Sequence, residues 1–76
     1  MNASRRKELS VAATKINEAA SIIYKALSAE QSAFDKLSDN AQMGDKGMEI
    51  EDIISNLQSA YDNLNDASDY LGYALE

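Results

Sequence analysis

Residues 50–74, IEDIISNLQSAYDNLNDASDYLGYA, place an apolar side chain at alternating steps of three and four: Ile50, Ile53, Leu57, Ala60, Leu64, Ala67, Leu71 and Ala74. That is the seam of a heptad helix. A second seam precedes it at Leu9, Ala13, Ile16, Ala20, Ile23, Leu27, Glu30, Phe34 and Leu37. Folding the chain about Met43 and Gly44 pairs the two seams with residue numbers that always add to 87, from Leu37 with Ile50 to Ala13 with Ala74. The sequence therefore predicts an all-α fold. It is an antiparallel, coiled-coil-like hairpin in one domain spanning 1–76, with a first helix over about 5–37, a turn over 38–47 and a second helix over about 48–75.

Seventy-six residues in two helices enclose little core, so self-association into a homodimeric four-helix bundle or a larger homo-oligomer is expected. Two features supply surfaces for it. Ala12, Ala19, Ala26 and Ala33 form a column at seven-residue spacing with Ile22 and Ala29 beside it, and small side chains let another helix approach closely. Ile54, Tyr61 and Leu75 form a second apolar line on the other helix, which the sum-87 register places on the opposite flank. Both sets are expected to be oligomer contacts.

Local signals refine the hairpin. Asn2 or Ser4 can cap the first helix, yet Arg5, Arg6 and Lys7 follow at the end where the helix dipole favours anions. Ser28-Ala29-Glu30-Gln31 has the outline of a capping box, but the seam keeps phase through it, so the helix is read as continuous. Glu30 is the one charged seam position, opposite Leu57 in this register; it either snorkels outward or is a buried carboxylate that fixes the register. In Ser38–Gly47, the glycines are read as points of chain reversal, Ala41–Met43 as a short helical turn, and Asp45 as the cap of the second helix.

The composition excludes much chemistry. There is no Cys, His, Trp or Pro, which removes thiolate and imidazole ligands and the usual nucleophile–base pairs, and a thin hairpin offers no cleft for paired carboxylates. No catalytic residue and no cofactor is expected. Asp39, Asn40, Asp45 and Glu49 lack the spacing of a calcium loop, so no metal site is expected either. No apolar run is long enough for a membrane span, and the start MNASRRKEL has no apolar signal core, so a cytoplasmic protein is expected.

Charge is divided between the halves: residues 1–38 carry +2 and residues 39–76 carry −8, adding to the net −6. Without a basic stripe, direct nucleic-acid binding is not expected. The exposed face of the second helix carries Asp62, Asp66 and Asp69, a solvated surface or a docking face for a basic partner. The hairpin also brings Tyr70 and Tyr73 to the end that holds Arg5, Arg6 and Lys7. Tyrosine faces and guanidinium groups suit a nucleotide, through stacking on the base and charge-assisted hydrogen bonds to phosphate. The same residues also suit a solvated end.

The basic start Arg5-Arg6-Lys7 with Leu9, the segment Ala33-Phe34-Asp35-Lys36-Leu37, then Gln42, Gly47 and Glu49, and the Ile53, Leu57, Ala60, Leu64, Ala67, Leu71 ladder resemble a family of short acidic helical-hairpin proteins encoded by bacteriophages and prophages, generally of unknown function. The resemblance covers nearly the whole chain, with Asp39 standing where a proline would be expected. It implies a phage-borne accessory protein of the host bacterial cytoplasm and assigns no catalytic or binding residue. The expected function is non-enzymatic counter-defence or host takeover, as an oligomeric sponge for a nucleotide signal. The alternatives are an acidic, DNA-mimic-like inhibitor of a host protein and a structural or scaffolding bundle.

Overall fold

A computed structural model describes all of residues 1–76 and has three helices, α1 (Ala3–Asp35), α2 (Asp39–Met43) and α3 (Asp45–Leu75). α1 and α3 run antiparallel in a rod of 58 × 14 × 14 Å. α1 begins earlier than the expected residue 5 because Asn2 is the cap: its Oδ1 accepts from the Arg5 backbone N–H at 2.8 Å. It runs unbroken through Ser28 and ends at Asp35, two residues before the expected Leu37.

The reversal uses two corners around α2. Ser38 caps α2 by accepting from the Ala41 N–H at 3.2 Å, and the Gln42 side chain reaches back to donate to the Phe34 carbonyl at 3.0 Å and the Leu37 carbonyl at 3.4 Å. Those carbonyls are among the acceptors a helix end leaves without intrahelical partners. α3 starts at Asp45 rather than 48. Gly44, not Asp45, is its N-cap, and Asp45 sits in the first turn, where its charge suits the dipole.

The glycines do not serve as left-handed turn residues: Gly44 has φ −90° and ψ −172°, and no residue has positive φ. Gly47 is buried inside α3 because α2 crosses it closely. A Cβ there would fall onto the Gln42 carbonyl and within 2.6 Å of the Gln42 Cα.

Burial corrects the register. On α1 the expected seam holds, with Ala20 buried and Leu9, Ala13, Ile16, Ile23, Leu27, Glu30, Phe34 and Leu37 half-buried. On α3 the inward line is Gly47, Ile50, Ile54, Leu57, Tyr61, Leu64, Ser68, Leu71 and Leu75; of the alternative ladder, Ile53 is 41% exposed and Ala74 is exposed, while Ala60 and Ala67 are half-buried at the margin of the seam. Each of these nine residues mirrors one on α1 with numbers adding to 84, three residues from the expected 87. Two cross-helix contacts fall within one residue of this register, both pairs adding to 85: Ser68 donates to Asn17 Oδ1 at 3.1 Å, and the Tyr24 and Tyr61 rings lie 5.5 Å apart.

Ile54, Tyr61 and Leu75 thus belong to the hairpin's own seam and not to a separate flank. Tyr61 and Leu75 remove more apolar area from water than Ala60 and Ala74 one position earlier. Glu30, half-buried, stands level with Ile54 rather than Leu57.

Two glycine substitutions should move stability in opposite directions. Gly47→Ala is expected to lower the urea midpoint, because overpacking against backbone costs about 1–3 kcal/mol and outweighs the gain in helix propensity. Gly72 has nothing within 4 Å of the site of a Cβ. Gly72→Ala should therefore stabilise by about 0.5–1 kcal/mol. Urea titrations followed by circular dichroism measure both.

Candidate functional site

With the seam residues of each helix taken as heptad positions a and d, the flanking positions e and g define two different sides of the rod. One side is a polar groove. It holds Asn17, Tyr24 and Gln31 from α1 and Glu51, Gln58 and Asn65 from α3, all at e, lining shallow depressions of about 290–440 Å³ that share Tyr24, Gln31, Ile54 and Gln58. Because the e residues of both helices meet on this flank, the g residues of both meet on the other. That second flank carries Ala12, Ala19, Ala26 and Ala33 from α1 and Ile53, Ala60, Ala67 and Ala74 from α3. It contains no polar side chain across four heptads.

Of the expected oligomer contacts, Ala12 and Ala19 are half-buried at the margin of the seam. Ala26, Ala29, Ala33 and Ile22 are exposed, Ile22 at 69%.

The basic end is built differently from the sequence expectation. Arg6 donates through Nη1 to the Leu75 carbonyl at 2.6 Å and through Nη2 to the Glu76 carbonyl at 3.4 Å. The guanidinium therefore caps the carbonyl end of α3, where the dipole favours a cation, and this accounts for a positive charge at the unfavourable start of α1. Arg6 is committed to the fold. Arg5 and Lys7 are exposed, with no side-chain hydrogen bond of their own. Tyr70 and Tyr73 are 72% and 65% exposed and meet edge to face, ring centres 6.4 Å apart. None of the four surface depressions lies at this end.

Asp62, Asp66 and Asp69 are all exposed on the outer side of α3, and the only side-chain hydrogen bond among them is Gln58 Nε2 donating to Asp62 at 3.0 Å. No cluster of three or more His, Cys, Asp or Glu side chains is placed to hold a metal ion. No helix is long and apolar enough to cross a membrane.

Two residues with structural roles at the ends, Arg6 and Gln42, are not found by periodicity. The signal for Arg6 was the misplaced charge itself, since an antiparallel partner brings a helix C-terminus to that spot. Comparisons with protein-family models, with curated proteins and with solved structures gave no match.

Arg6→Gln is expected to fray the last turn of α3. Amide hydrogen exchange there should accelerate about two- to fivefold while the middle of both helices stays unchanged, and the effect should shrink with added salt. Equal acceleration throughout would count against a local cap.

Proposed function

We propose that this protein is a non-enzymatic accessory protein of phage or prophage type that works as a homo-oligomer and acts by stoichiometric binding. Its phage character rests on the resemblance carried by Arg5–Leu9, Ala33–Leu37, Gln42, Gly47 and Glu49. The observation that carries the binding reading is the near absence of interior: only Ala20, Gly47 and Ile50 are buried in the single hairpin. A rod with no enclosed site offers its surface, and an apolar side of this kind supports self-association.

The ligand that best suits the free chemistry is a nucleotide signal. Tyr70 and Tyr73 leave ring faces open for a base, and Arg5 and Lys7 near the same end supply cations for phosphate once Arg6 is taken up by α3. Two copies would be needed to wall such a site, since one rod has no depression there. Thermal-shift measurements against cyclic di- and oligonucleotides and ADP-ribose derivatives test this. A stabilisation of several degrees that Tyr70→Ala and Arg5→Ala both abolish is expected, and no shift with any of these ligands would remove the sponge reading.

A second reading rests on the exposed Asp62, Asp66 and Asp69: an acidic face that occupies a basic groove of a host protein. A partner captured from host lysate and lost when these three become Asn would favour it over the nucleotide reading.

A further inference from the structure

We infer that the flank of Ala12, Ala19, Ala26, Ala33, Ile53, Ala60, Ala67 and Ala74 is the docking surface for a second copy of this chain. We infer further that the two rods lie side by side with their α2 ends together, so that α1 of each packs against α3 of the other. This rests on the self-association proposed above and specifies its surface and orientation.

Three observations carry it. The first is contrast between the sides: the e flank is a groove of amides, Tyr24 and Glu51, whereas the g flank is apolar on both helices. Apolar a, d and g positions together make the three-in-seven face of a helix inside a bundle, wider than the a/d seam a lone pair requires.

The second is size. A rod of 58 by 14 Å has a long side of roughly 800 Å² per copy, the per-partner area of a standard interface, and the apolar levels from Ala12 to Ala33 take up about half of its length. The flank is also self-complementary along its length. In the sum-84 register Ala26 lies within two residues of the level of Ala60, as do Ala19 and Ala67, Ala12 and Ala74, and Ala33 and Ile53. A second copy related by a two-fold axis parallel to the rod would set the same four levels opposite one another. Small side chains at each level permit close approach of four helices.

The third is charge, which selects the orientation. A two-fold axis across the rod would put α3 against α3 of the second copy, bringing together two helices that each hold one Lys and seven Asp or Glu, −6 apiece. An axis along the rod places each acidic α3 between two copies of the more basic α1 and leaves the two α3 helices on the diagonal. Like charges are then farthest apart.

Sedimentation equilibrium of the intact chain, joined to a spin–spin distance on Met43→Cys, tests both parts. The chain has no native Cys, and Met43 in α2 is 82% exposed, so one nitroxide per copy reports the separation of the α2 ends. A two-chain mass with a label separation of about 20–30 Å is expected, the span of two packed helices plus label linkers. A two-chain mass with a separation near the 58 Å rod length would overturn the orientation and leave self-association standing. A one-chain mass would overturn both. Ala26→Glu should weaken the dimer more than about tenfold, whereas Asn65→Glu on the groove side should leave it within about threefold. The reverse order would assign the interface to the wrong side, and should Ala26→Glu fail to fold, the Met43→Cys distance still decides the orientation.

Discussion

The structure depends on one constraint: two helices must bury enough of each other, along a single line, to hold an otherwise coreless chain together. Neither helix gains much from isolated stability, since helices in water are marginal and draw most of their support from packing of an apolar face. The line from Gly47 to Leu75 against Leu9 to Leu37 is that packing. The other devices set its register or close its ends. Asn2 and Arg6 close the end where α1 starts and α3 finishes. Ser38, Gln42 and the close crossing at Gly47 close the other.

The fold class, the antiparallel pairing and the continuity through Ser28 were legible from spacing alone, because on α1 Leu27 and Phe34 clearly outweigh Ala26 and Ala33 one residue earlier. α3 has two. Ile50, Leu57, Leu64 and Leu71 belong to both, and the choice lies between the intervening Ile53, Ala60, Ala67 and Ala74 and the set one residue later, Ile54, Tyr61, Ser68 and Leu75. Counting apolar residues favours the alanine set, since Ser68 and the Tyr61 hydroxyl interrupt the other. Volume and hydrogen bonding decide the reverse: Tyr61 fills space against Tyr24, and Ser68 is satisfied by Asn17. A one-residue choice on α3 moved the register from 87 to 84. It also moved the alanines from the seam to the free flank.

The same shift changes what the surface offers. With the wrong ladder inside, Ile54, Tyr61 and Leu75 look like a spare interface; with the right one, the spare surface is a single apolar side made by both helices. The basic end shows a comparable limit of sequence reading. A cation at a helix start looks like a waiting anion site until the α3 carbonyls appear beside Arg6. What remains open to ligand there is Arg5, Lys7 and the Tyr70–Tyr73 pair, a smaller set than the sequence suggested.

The account turns on the register, and nuclear Overhauser contacts on the unmodified chain test it most directly. Ring protons of Tyr24 and Tyr61, with ring centres 5.5 Å apart, should show strong mutual contacts. Contacts from the Phe34 ring to Ile53 with none to Ile50 would contradict the account, because Phe34 faces Ile53 in the sum-87 pairing in which the alanine ladder is the seam.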